Sequence, residues 1–135
     1  MPMEWYLQPR GWPERMEAYA AGAVELFVQA AQGALDEAGL RGSDIDINIT
    51  VSSTGIATPS LDARVMTRMG FRPDIQRTPV FGLGCAGGVS GLALAGRIAK
   101  AQPGANVLFV TIELCTLAFR LDELEELLLL LLSPR

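Results

Sequence analysis

The sequence predicts an α/β domain whose strands pair mostly in parallel around a buried helix, and three observations carry that expectation. Helical and strand periodicities alternate along the chain, as in successive strand, helix and strand units. A glycine-rich stretch, Gly82-Leu83-Gly84-Cys85-Ala86-Gly87-Gly88, leads from a short strand straight into a helix, and no charged residue occurs from Pro79 to Gly96. Finally, Val107 to Ile112 is a continuous apolar run ending at Glu113, the pattern of a strand buried on both faces of a sheet.

Each element follows from its own residues. Pro13 suits the first turn of a helix, where its missing N–H is not needed, and apolar residues recur at Met16, Ala20, Ala23, Phe27, Ala30 and Ala34 before Gly39 closes the helix. Ile45, Ile47, Ile49 and Val51 alternate with Asp46, Asn48 and Thr50, which predicts an outer strand with one polar face. After the loop Thr54 to Pro59, Ser60 is placed to cap a short helix, Asp62 suits its positive end, and Gly70 ends it near Met69. Arg77 to Phe81 is the next strand. The helix that follows has no polar face, so it is expected to be covered on every side, with its Gly and Ala residues allowing close approach of neighbours. Asn48 and Asn106 are expected on strands.

Composition narrows the function classes. The chain has 135 residues, half of them hydrophobic and 19% charged; soluble domains average about 25% charged, so an unusual share of this surface expects burial. Net charge is −4 and the basic residues are scattered, which leaves no footprint for nucleic acid or an anionic membrane. Cys85 and Cys115 lack disulfide-scaffold spacing, and Met1-Pro2-Met3-Glu4-Trp5 lacks a signal-peptide pattern, so a reducing cytoplasm is the expected location. With no histidine and no CxxC pair, a metal site is not expected, and any histidine-dependent mechanism is incomplete within these residues. Residues 123–135 form an atypical leucine-rich tail. Its Leu127 to Leu132 run falls short of the roughly 20 apolar residues of a membrane helix, and it reads as a frameshift or truncation scar following a domain of residues 1–122, the plainer alternative being an ordinary buried helix end.

Cys85 is the candidate for chemistry. At a strand-to-helix junction, backbone N–H groups and the helix dipole favour an anion, whereas apolar burial opposes one. The alternative is a small hydrophobe filling a tight helix start. Gly82, Gly84 and Gly87 also spell GxGxxG, with Glu113 ending the next strand, the outline of a dinucleotide site. The distance to Glu113 exceeds the usual interval of about 20 residues, and a strand and a helix already precede the supposed first strand.

The stretches Thr54 to Asp62, Gly70-Phe71-Arg72-Pro73, Gly82 to Gly88, Glu113-Leu114-Cys115 and Phe119-Arg120, together with Trp5 to Arg15, resemble successive signatures of bacterial type III polyketide synthases of the chalcone and stilbene synthase kind. The likeness runs from about Trp5 to Asp122. It implies the N-terminal half of a layered, thiolase-like condensing fold and a homodimer at full length. It also implies acyl transfer from acyl-CoA to cysteine, followed by decarboxylative Claisen condensation with malonyl-CoA. No cofactor is implied beyond these substrates. Cys85 matches the nucleophile. Ser53, Thr54, Glu113, Cys115 and Ala118 match positions lining the elongation cavity, and Thr58 a position reaching toward the partner's cavity. For Cys115 a buried hydrophobe, and for Glu113 a satisfied structural carboxylate, are the plainer readings. The family's catalytic histidine and asparagine match nothing here, so an incomplete, inactive fragment is expected. Other readings are a ketoacyl synthase of the fatty-acid type and a non-catalytic interaction fragment.

Overall fold

The computed structural model describes residues 2–120; the leucine-rich tail lies outside the described residues. Along the chain come α1 (Met3–Tyr6), α2 (Trp12–Ala38), β1 (Ile47–Ser52), α3 (Leu61–Arg64), α4 (Met66–Met69), β2 (Gln76–Phe81), α5 (Ala86–Ala101) and β3 (Val107–Thr111), with 3-10 turns at Gly42–Asp44 and Cys115–Ala118. The strands form one parallel sheet in the order β2-β1-β3. Helix α5 packs on one face of the sheet, and α2 with α3 covers the other, the double cover that a parallel sheet requires.

Helix α2 begins with Pro13 in its first turn and ends where Gly39 adopts a left-handed conformation, φ 65°. Its buried stripe is Tyr19, Ala23, Phe27, Ala31 and Leu35. This corrects the expected stripe in its second half. Ala30 and Ala34 face solvent, because rotating the helix inward at Leu35 buries a side chain of larger apolar area than either alanine offers.

The largest correction concerns β1, which is central rather than outer: every one of its residues is buried. Ile47, Ile49 and Val51 pack beneath α5 with Ala95. The polar alternates Asn48, Thr50 and Ser52 are equally buried, beneath α2 and α3. Their hydroxyls are occupied: Ser52 shares a 2.5 Å hydrogen bond with the Tyr19 hydroxyl, and Thr50 donates to Asn48 Oδ1 at 3.3 Å. Local pairing thus replaces water for these oxygens, whereas Asn48 Nδ2 is buried with no hydrogen-bond partner among the described residues. Conversely, β3 is not buried on both faces. Leu108 and Val110 are buried, whereas Val107 and Phe109 are only partly covered, since β3 borders the described sheet.

The expected single helix after Ser60 is two short turns separated at Val65. Ser60 occupies the cap position without a side-chain cap bond. Asp62 is not at a solvent-facing helix start; it is fully buried and receives Arg77 Nη1 at 2.9 Å. Gly70 ends the second turn with φ 64°, as expected.

The N-terminal ends of the strands are pinned by Asp46, whose carboxylate accepts from Arg72 Nη2 at 2.8 Å and from the Asn106 amide at 2.9 Å. These contacts, the Arg72 bond first, hold the Asp46 pKa below its ordinary value. Asn106 lies in the turn before β3 rather than on the strand, and its side chain donates to Asp44 O at 2.8 Å.

Helix α5 approaches the sheet through Gly87, Gly91 and Ala95, its buried positions. A Cβ on Gly91 would lie 2.5 Å from the Phe109 ring and 2.7 Å from Val51 Cγ2, so only glycine permits this spacing. The opposite side of α5 is not covered by the described residues: Val89 is 76% and Leu92 63% exposed. Among the described residues, no helix is long and apolar enough to cross a membrane.

Candidate functional site

Three loops leave the C-terminal ends of the three parallel strands: Ser53 to Ser60 after β1, Gly82 to Cys85 after β2, and Ile112 to Leu114 after β3. Crevices at this end of a parallel sheet are where such folds hold ligands. Five of the seven residues singled out in the sequence lie on these loops: Ser53, Thr54 and Thr58 on the first, Cys85 on the second and Glu113 on the third. Cys115 and Ala118 lie on the 3-10 turn that follows the third loop.

Cys85 occupies the N-cap position of α5, with φ −59° and ψ −23°, and it is exposed. Among the described residues it is not packed as a buried hydrophobe. Gly84 before it has φ 52°, a conformation that strains any residue with a Cβ and throws the chain sharply from strand to helix. Two N–H groups at the helix start are engaged in closing this turn: Ala86 bonds Leu83 O at 3.2 Å and Gly87 bonds Gly84 O at 2.9 Å.

The three loops are linked side by side. The Glu113 carboxylate accepts the Ser53 N–H at 2.8 Å and the Thr54 N–H at 2.9 Å. Thr54 Oγ1 accepts the Leu114 N–H at 2.9 Å, closing the link between the β1 and β3 loops. Ser53 Oγ accepts the Gly84 N–H at 3.0 Å, joining the β1 loop to the cysteine loop. Glu113 is thus the satisfied carboxylate that the plainer reading describes. Both of its oxygens are occupied by main-chain amides, a poor arrangement for gripping the ribose of a dinucleotide.

Residues expected to share one cavity are divided between open spaces. Glu113 and Cys115 line a groove of about 840 Å³ with Tyr6, Gly22 and Leu26 of the α1 and α2 side. Thr54 and Ala118 line a separate space of about 370 Å³ with Trp12 and Met16. Cys115 is exposed rather than a buried hydrophobe. The N-terminal segment is tied to its turn by the Tyr6 hydroxyl bonded to Thr116 Oγ1 at 3.0 Å and by Arg15 donating to Phe119 O at 2.9 Å. Thr58 is exposed beside the cis Thr58–Pro59 peptide, and its carbonyl accepts from Arg64 Nη2 at 3.1 Å.

Sequence reasoning missed the pairing of the buried Asp62 with the partly exposed Arg77. It borders a small cavity of about 110 Å³ whose lining includes Tyr19, Thr50, Ser52 and Asp62. Asp62 Oδ1 has no hydrogen-bond partner there. No local signal pointed to it, because the partners are brought together only by the packing of α3 against β2. Among the described residues, no group of His, Cys, Asp and Glu is arranged to hold a metal ion.

Residues 9–130 match the family model described as chalcone and stilbene synthases, N-terminal domain. The chain is 40% identical over 122 residues to a 1,3,6,8-tetrahydroxynaphthalene synthase of Streptomyces peucetius subsp. caesius, covering 90% of this chain and 32% of that protein. It is 36% identical to a putative chalcone synthase of Bacillus subtilis, covering 90% of this chain and 35% of that one. Among solved structures, the 1,3,6,8-tetrahydroxynaphthalene synthase of Streptomyces coelicolor superposes with a TM-score of 0.84 at 37% identity, over 89% of this chain and 34% of the other. A fungal type III polyketide synthase gives 0.83 at 26% identity, over 94% and 34%. The chain spans about a third of the length of the relatives it matches.

Proposed function

Because the chain belongs to the chalcone and stilbene synthase N-terminal domain family, and so to the type III polyketide synthases, we propose that it carries the acyl-accepting cysteine of a decarboxylative condensing reaction. The observation that supports this most is the exposed Cys85 at the N-cap of α5, at the ligand-binding end of a parallel sheet. In the proposed first step the Cys85 thiolate adds to the thioester carbonyl of an acyl-CoA. The tetrahedral intermediate then expels the coenzyme A thiolate, which takes up the proton that Cys85 released. The products are an acyl thioester on Cys85 and free coenzyme A. In the second step malonyl-CoA loses carbon dioxide, and the resulting C2 carbanion attacks the Cys85 thioester and displaces the cysteine thiolate. A thiolate suits both steps, being a nucleophile in one and a leaving group in the other.

The oxygen charge on each tetrahedral intermediate needs fixed donors. With the Ala86 and Gly87 amides engaged in their turn, much of that donation falls to groups outside these two, and in the family a histidine and an asparagine provide it. The 135 residues contain no histidine, so no condensation product is expected from them alone. The same reading assigns the grooves beside Glu113, Cys115, Thr54 and Ala118 to the growing chain. The uncovered face of α5, with Val89 and Leu92, and the strand β2, none of whose residues is buried among the described residues, are assigned to the second half of the fold and a partner subunit, with Thr58 on a loop assigned to that partner's side.

Incubation with acetyl-CoA followed by peptide mass spectrometry tests the first step. An acetyl adduct is expected on the Cys85 peptide and is expected to vanish in Cys85→Ala. Absence of that adduct, or equal labelling of Cys115, would overturn the assignment.

A further inference from the structure

We propose that Ser53 is a positioning residue for the cysteine loop, held in place by the Glu113 carboxylate. The inference rests on the reading of Cys85 as the nucleophile, although its test does not need acyl transfer. Gly84 precedes Cys85 directly, and its left-handed conformation turns its N–H away from the helix ladder and toward the neighbouring loop. That N–H is held by Ser53 Oγ at 3.0 Å, so the Leu83–Gly84 peptide, one residue before Cys85, takes its orientation from a side chain on the loop that follows β1. The Ser53 main chain is fixed in turn by Glu113 Oε1 at 2.8 Å, and the next amide, that of Thr54, by Glu113 Oε2 at 2.9 Å.

A carboxylate accepting two N–H groups makes the stronger, charge-assisted kind of hydrogen bond. The chain of contacts therefore runs from the rigid end of β3, through the β1 loop, to the residue before the cysteine, and it crosses the sheet in the spatial order of its strands. A cysteine on a turn closed only by Ala86 to Leu83 and Gly87 to Gly84 contacts would otherwise be free to swing with its loop. The Ser53 strut restricts that motion and presents the sulfur in one orientation.

The test uses the full chain. Iodoacetamide alkylation of Cys85 is followed by mass spectrometry with Cys115 in the same molecule as reference, and amide exchange at Gly84 is followed by NMR. In Ser53→Ala, Gly84 exchange is expected to rise and Cys85 alkylation to fall relative to Cys115, each by about 5-fold, the factor one ordinary hydrogen bond supplies. Ser53→Thr keeps the hydroxyl and is expected to restore both. Exchange at Ile49, in the central strand, reports whether the fold is intact. If Ser53→Ala does not fold, Glu113→Gln decides, because it keeps the Ser53 hydroxyl but loses one of the two amide acceptors and is expected to slow Cys85 by a smaller factor. Unchanged Cys85 alkylation in a folded variant, or no restoration by threonine, overturns the proposal. Failure of acetyl transfer with these rates changed as stated would sink the condensing-enzyme reading and leave the strut standing.

Discussion

Replacing Arg77 by methionine removes the only hydrogen-bond donor, among the described residues, to a buried carboxylate. Asp62 has a side-chain exposure of 1%, and Arg77 Nη1 lies 2.9 Å from its Oδ2 while Oδ1 has no partner. Losing one member of a fully buried ion pair costs about 3–5 kcal/mol, because a charge is left without compensation. The Arg77 side chain is 38% exposed, however, so solvent already screens the pair in part, and the expected loss is nearer 2–3 kcal/mol. Unfolding entropy for a chain of 135 residues is about 0.28 kcal/mol/K, which converts a loss of about 2.5 kcal/mol to a Tm lowered by about 9 °C. Pulse proteolysis in urea suits the measurement, since it works at concentrations low enough to limit association through the uncovered face of α5. The double variant Asp62→Asn with Arg77→Met removes the charge along with its partner and is expected to recover at least about 1 kcal/mol relative to the sum of the single variants. A stability for Arg77→Met within 0.5 kcal/mol of the parent, roughly the range of an ordinary surface substitution, would refute the reasoning, as would strict additivity.

Two further outcomes follow from the packing. Gly91→Ala would set a Cβ 2.5 Å from the Phe109 ring and 2.7 Å from Val51 Cγ2, and the resulting shift of α5 is expected to cost about 1–3 kcal/mol by urea denaturation; a neutral substitution would show that α5 lies farther from the sheet. Burial, reinforced by the Glu113 carboxylate and opposed by the Ser52 hydrogen bond, raises the Tyr19 pKa above its ordinary value. The unfolded chain therefore ionises first, and the stability Tyr19 contributes is present below about pH 10 and is lost as pH rises through the higher folded value. Tyr19→Phe is expected to flatten that alkaline decline in denaturation curves taken from pH 8 to 11, and an unchanged slope would exclude Tyr19 as its source.

What was legible in the sequence was local. The turn from β2 into α5 could be read because its glycines, its cysteine and its uncharged helix are consecutive, and the left-handed closures at Gly39 and Gly70 follow from single residues at helix ends. The place of β1 was not legible. Asn48, Thr50 and Ser52 look like a solvent face, and only the packing of α2 brings Tyr19 over Ser52 so that the alternation can be buried. Asp62 misled for a related reason: one acid at a helix start has an adequate local role, and nothing nearby announces Arg77 on the strand that α3 packs against. Glu113 was read in two ways from its position after an apolar strand, and the amides of Ser53 and Thr54 decide for the paired carboxylate. The expectation that α5 would be enclosed came from its lack of charge, and the exposed Val89 and Leu92 are where that expectation exceeds the described residues.

The strand at the middle of the sheet is the first of the three to be synthesised. Ile47 aligns with Gln76 on one side and Val107 on the other, so neither border can form until much later residues arrive, and every ladder contact closes a long loop. Such a topology places the domain toward the slow end of folding rates for its size. The amphipathic α2, whose turns close locally, is then the element most able to assemble early and wait for its sheet.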